Sequence, residues 1–179
     1  MLQLTQYIQE KLKINSKSKV NKMICPKTKD DLKREILKKI IDKETDYNDI
    51  DVSKIQDFSY LFENQDHLVE IDISKWDVSN AISLKCMFNG CRYLRTTGDL
   101  GNWNVSNVAD MSFMFNDCQC LTNIGDLSNW EINGTKMLGT FQNTKRLKTI
   151  GPIQHWRPDT PNYDIFSLSK IEPQPRKRV

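Results

Sequence analysis

The sequence predicts an α/β repeat fold, and three observations predict it. Four tryptophans, Trp76, Trp103, Trp130 and Trp156, recur at intervals of 27, 27 and 26 residues. Four phenylalanines, Phe62, Phe88, Phe115 and Phe141, keep the same beat, each followed six residues later by a leucine, Leu68, Leu94, Leu121 or Leu147. An aliphatic residue stands three positions before each tryptophan (Ile73, Leu100, Leu127, Ile153), and Val78, Val105 and Ile132 stand two positions after the first three. Val52 holds that same place ahead of the first phenylalanine. A fixed period of this length marks an array whose units cannot bury a hydrophobic face singly but do so when stacked.

Each unit divides into two halves. Asp77–Asn80 and Asn104–Asn107 supply oxygen-bearing side chains suited to the start of a helix. Behind them Ala81, Leu84, Met87 and Phe88, and likewise Val108, Met111, Met114 and Phe115, recur at spacings of three, four and seven. Those spacings predict one face of a short helix, as do Ile55, Phe58, Leu61 and Phe62. The other half, Leu68/Ile71/Ile73 and Leu121/Ile124/Leu127, predicts a short extended segment with apolar residues turned inward. One short strand and one short helix per coil is leucine-rich-repeat geometry. The expectation is therefore a leucine-rich-repeat-like solenoid of about four to five coils over residues 50–157, with an N-terminal helical cap and parallel strands roughly 4.8 Å apart.

The strings Asp72–Asn80 (DISKWDVSN) and Leu100–Cys118 (LGNWNVSNVADMSFMFNDC) resemble the 26-residue repeat of bacterial surface proteins, a BspA-like leucine-rich repeat. The resemblance implies a leucine-rich-repeat solenoid and a binding role. It implies no partner, since the family shares no ligand and has no catalytic residues to carry over. The opening Tyr7–Asn15 (YIQEKLKIN), joined to this repeat, is similar to proteins encoded by phages of gut Bacteroidales.

The flanks break the period. Residues 1–49 read as a basic helix–strand–helix cap. Leu4, Tyr7, Ile8 and Leu12 make one stripe, and Val20–Ile24 is a candidate strand closed by Pro26. Thr28–Asp31 is a capping-box variant that opens a second helix, in which Leu32, Ile36, Leu37, Ile40 and Ile41 share a face. Residues 158–179 read as a C-terminal cap with a final strand at Tyr163–Leu168, then a mobile basic tail.

Composition excludes more than it selects. Net charge is +3, so no global field demands nucleic acid or membrane. Residues 1–29, however, hold seven lysines against the single acid Glu10. Met1–Asn15 lacks the apolar stretch of a secretory signal, and no run approaches a membrane span. The expected location is the cytoplasm of a bacterial host or a virion. Five cysteines without secretion predict reduced, structural thiols, with Cys91 and Cys118 in equivalent positions. His67 and His155 lie about three units apart, and no paired CxxC set appears, so no metal and no cofactor is expected. Neither a nucleophile–base pair nor a glycine-rich phosphate loop is present, and the expectation is a non-enzyme.

The candidate working surface is the outward side of the extended segments, centred on Asp72, Asp99, Asp126, Ser128 and Asn129. Stacked carboxylates near 5 Å repel one another unless compensated. They therefore serve either as a stripe for a basic partner or as caps of their own turns beside Gly98 and Gly125. The tryptophan column serves either as core or as a stacking platform. Lys11, Lys13, Lys17 and Lys19 are either a solvated face or a contact for an acidic partner. The leading function is a protein–protein interaction module, plausibly phage-encoded and directed at a host or phage protein. The alternatives are a virion component docking through its N-terminal unit and a nucleic-acid-associated protein using those lysines.

Overall fold

The computed structural model describes residues 23–171 and overturns the expected α/β leucine-rich-repeat-like solenoid. Among the described residues only one helix exceeds a single turn, α1 at Lys29–Ile41. Among these residues no sheet forms, and strand pairing is confined to isolated parallel bridges such as Glu70↔Thr96 and Ser83↔Asp110. The repeated segments contain neither the helix nor the strand that their apolar spacing predicts.

The physical reason lies in the spacing itself. An apolar residue every three positions also describes a chain of tight turns, in which the N–H of residue i+3 reaches the carbonyl of residue i. Such bonds link Val78 to Ala81, Leu84 to Met87, Phe88 to Cys91 and Cys91 to Leu94, and they recur one period later from Val105 to Leu121. Short polar side chains nucleate the turns. Asp77 Oδ1 accepts the Ser79 amide at 3.0 Å, and Asn104 Oδ1 accepts that of Ser106 at 3.2 Å. Left-handed backbone then stops any helix from propagating. It falls two residues before and two after each phenylalanine, at Tyr60/Asn64, Cys86/Gly90, Phe113/Asp117 and Gly139/Asn143. A left-handed residue costs roughly 1–2 kcal/mol outside glycine. Here several of these residues aim their amides at the next segment: Tyr60 N bonds Lys85 O at 2.9 Å and Cys86 N bonds Ser112 O at 2.9 Å.

The stacked segments place like residues over like. The rings of Phe62, Phe88, Phe115 and Phe141 lie parallel with centroids 5.0, 5.3 and 5.7 Å apart. A fifth ring, Phe166, 25 residues after Phe141, continues the stack at 5.6 Å. Each stacked pair adds roughly 0.5–1.5 kcal/mol beyond its buried area. The tryptophan column is core: all four residues are buried. Trp76, Trp103 and Trp130 donate their indole N–H to the carbonyls of Tyr47, Ile73 and Leu100, about one period earlier, at 2.8, 3.2 and 2.9 Å. Trp156 is buried as well, but its N–H meets no acceptor among the described residues.

Helix α1 covers the first segment. Thr28 accepts the Asp31 amide and Asp31 accepts the Thr28 amide, both at 3.1 Å, completing the capping box. Leu32 and Ile36 enter the core with Ile40 packed against it. Leu37 and Ile41 face solvent, contrary to the stripe expected from spacing. Lys39 takes an inward place instead, its Nζ 2.7 Å from Glu44 and 2.8 Å from Asp49. Burial alone would lower its pKa, but the hydrogen bonds of the two carboxylates raise it. The boundary drawn at 49/50 is crossed by the bond from Asp51 N to Ile24 O. Of the expected Val20–Ile24 strand only Met23 and Ile24 fall within the described residues, and Ile24 makes one bridge, to Ile50. The stripe of Leu4, Tyr7, Ile8 and Leu12, the lysines at 11, 13, 17 and 19, and the tail beyond Ile171 lie outside them. The final strand expected at Tyr163–Leu168 is replaced by a short helix, α2, at Asn162–Ile165.

Candidate functional site

The carboxylates of Asp72, Asp99 and Asp126 are engaged within the fold. Oδ1 of Asp72, Asp99 and Asp126 accepts the amide two residues on, from Ser74, Gly101 and Ser128, each at 2.9 Å. Asp46 begins the row one period earlier, paired with Asp72 by a parallel bridge and bonded to the Asn48 amide. Between segments, glycine leaves room for the carboxylates. The backbone of Gly125 lies against the Asp99 carboxylate and that of Gly151 against Asp126, both at positive φ, +87° and +82°. A Cβ at either position would overlap the carboxylate, so these two positions require glycine twice over. Burial opposes ionisation of Asp72, but the hydrogen bonds from Ser74 and Asn48 hold its pKa below the usual carboxylate value. Ser128 is half-buried and Asn129 exposed, both in the turn that follows Asp126.

Cys91 and Cys118 are part of the core. All five cysteines are free. Cys91 and Cys118 donate their thiol protons to the carbonyls of Phe62 and Phe88, at 2.9 and 3.1 Å. Burial pushes the Cys91 thiol up to about 12 and Cys118 well above its ordinary value, so neither forms thiolate near neutral pH. No group of three or more histidine, cysteine or carboxylate side chains able to hold a metal occurs among the described residues. No described helix is long and apolar enough to cross a membrane.

A second surface, absent from the expectation, lies across residues 66–70, 92–96, 119–123 and 145–149. Arg92, Tyr93, Arg95, Lys145, Arg146 and Lys148 are all exposed there. Its signal was present in the sequence as rows rather than motifs: Tyr93 aligns with Arg146, and Arg95 with Lys148. Charge also grades along the stack. Residues 44–77 carry ten acidic side chains against two basic, whereas residues 132–171 carry two acidic against six basic.

A family model described as "Mycoplasma protein of unknown function, DUF285" matches residues 31–156, well over half of the chain. Neither a curated protein nor a solved structure matches.

Proposed function

We propose, for a chain that belongs to the DUF285 family, described as Mycoplasma protein of unknown function, a non-enzymatic role in binding another protein. The observation behind this reading is the in-register stacking of equivalent residues. Turn-built segments expose rows of side chains at spacings of about 5 Å, and such rows form a continuous surface from short pieces of sequence. Most of the large apolar residues point inward and are spent on the stack, while the outward rows are mostly polar. A surface of four rows spans roughly 15–20 Å, enough for one loop or extended segment of a partner and near the lower limit of specific interfaces.

The test is reconstitution. The intact chain is used for affinity capture from its own cells, and a captured protein is purified and titrated back. A saturable complex of fixed stoichiometry is expected. Retention of nucleic acid alone, or of no macromolecule that rebinds when purified, contradicts the reading.

A further inference from the structure

We propose that the face carrying Arg92, Tyr93, Arg95, Arg146 and Lys148 binds an extended acidic segment of the partner protein, whose apolar anchor enters the cavity at one end of that face. The proposal rests on the protein-binding reading and gives it a place and a chemistry.

Register builds the face. The Arg95 amide bonds the Val69 carbonyl at 2.7 Å, and the Thr122 amide bonds the Arg95 carbonyl at 3.0 Å. Cys120 N reaches Arg92 O at 3.1 Å in the same way. The segment 142–149 is clamped over 116–123 from both sides, by the Phe115–Phe141 stack and by the bond from Leu127 N to Ile150 O. Lys148 therefore lies over Thr122, and Arg146 over Cys120. One row reads Val69, Arg95, Thr122, Lys148 along the stack, and its neighbour reads His67, Tyr93, Cys120, Arg146.

Pairing differs sharply across this face. Arg92 is tied to Asp117 at 3.0 Å and to Asp66 at 3.5 Å. Arg95, Lys145, Arg146 and Lys148 make no ion pair among the described residues. Tyr93, 58% exposed, stands beside Arg95 on the same segment, two segments from Lys145, Arg146 and Lys148. Four cations spread along one face that also carries an exposed aromatic, without ion-pair partners among the described residues, suit a partner that supplies carboxylates.

At the acidic end of the stack the same rows run into a cavity of about 430 Å3, lined by Ile40, Tyr47, His67, Leu68 and Val69 among others. Val69 belongs both to this cavity and to the Arg95 row. The Tyr47 side chain is fully buried, and its hydroxyl has no hydrogen-bond partner among the described residues, which is unusual for a buried phenol. An apolar or aromatic side chain placed here would meet Ile40, Leu68 and Val69. Carboxylates two to five residues further along an extended chain, at about 3.3 Å per residue, would then reach Arg95 and Lys148.

Protein is favoured over nucleic acid on two grounds. Residues 44–77, which flank the cavity, are strongly acidic and would repel a long polyanion but not a short segment beginning with an apolar residue. Tyr93 is also the only exposed aromatic in these rows, whereas single-stranded nucleic acids need successive stacking partners.

The probe is a fluorescent twelve-residue peptide with one phenylalanine followed by four consecutive acidic residues, titrated onto the full chain by anisotropy. Saturable binding is expected, weakened tenfold or more by Arg95→Glu with Lys148→Glu. The same charge change at exposed Lys54 and Lys136, away from this face, is expected to alter affinity less than twofold. A peptide with the phenylalanine moved to the far end of the acidic run is expected to bind more weakly. Equal losses from the two double reversals would overturn the placement while leaving the protein-binding reading intact. Tighter binding of a twelve-nucleotide oligothymidylate than of the peptide would overturn both. No binding of the peptide would overturn the proposed ligand chemistry.

Discussion

The aspartate row and the arginine–lysine face are built by the same stacking, yet they use their charges in opposite ways. Each carboxylate of Asp72, Asp99 and Asp126 already has a backbone amide in its own turn, and Asp99 and Asp126 also rest on a glycine of the next segment. The cations at Arg95, Lys145, Arg146 and Lys148 have no such internal partner among the described residues. The contrast teaches that a periodic row of charge is not in itself a working surface. Periodicity arises whenever every unit needs the same turn cap, whereas the face most suited to binding varies from unit to unit. Its rows read Val69, Arg95, Thr122, Lys148 and His67, Tyr93, Cys120, Arg146.

The largest effect should fall on the interior that both regions share. Phe115→Ala removes the middle ring of the stack and is expected to cost about 3–5 kcal/mol in urea denaturation. A loss below about 1 kcal/mol would mean that the stack does not hold the two surfaces in register. Next comes the glycine seat of the aspartate row. Gly125→Val forces a β-branched residue into positive φ, at about 1–3 kcal/mol, and drives a side chain into the Asp99 carboxylate besides. A smaller loss, about 1 kcal/mol, is expected for Asp99→Ala, which leaves the Gly101 amide without its acceptor. Asp99→Asn keeps that acceptor and should be nearly neutral. If Asn and Ala cost the same, the carboxylate stabilises the fold by its charge and not as an acceptor for the Gly101 amide.

Acid should separate the regions further. The folded-state pKa is lowered at Asp72, by bonds from Ser74 and Asn48 outweighing burial, and at Asp117, by bonds from Gln119, Arg92 and Asn143 outweighing burial. A depressed carboxylate contributes stability that is present above its unfolded value, near 3.9, and lost as pH falls through the folded value. The melting temperature should therefore be flat from pH 7 to about 5 and fall below about pH 4. The smallest stability effect is expected on the other face: Arg95→Glu with Lys148→Glu should stay within about 0.5 kcal/mol of the parent.

Much of this was legible in the sequence, though at the level of columns rather than of secondary structure. Phe62, Phe88, Phe115 and Phe141 stack as their spacing predicts, because identical large side chains at a fixed period have one common interior to fill. The helices expected over Ala81–Phe88 and Val108–Phe115 do not form. Period-three apolar spacing is shared by helices and by chained turns, and the left-handed residues that decide between them carry ordinary side chains at Cys86 and Phe113. Leu37 and Ile41 turned outward because Lys39, bridging Glu44 and Asp49, claims the inward side of α1. The aspartate row was visible as a row, with both its uses open. The arginine–lysine face was missed because no residue in it repeats.

The central claim is that the aspartates hold the fold while the cations face a partner. It is tested most directly by two charge-reversed proteins measured side by side for thermal melting and for affinity to the acidic peptide. Asp99→Lys with Asp126→Lys should melt roughly 5 °C lower, two lost turn caps at about 1 kcal/mol each, and bind within threefold of the parent. Arg95→Glu with Lys148→Glu should melt at the parent temperature and bind at least tenfold more weakly. The reverse assignment, with unchanged melting and lost affinity for the aspartate variant and lower melting with intact affinity for the other, would contradict it.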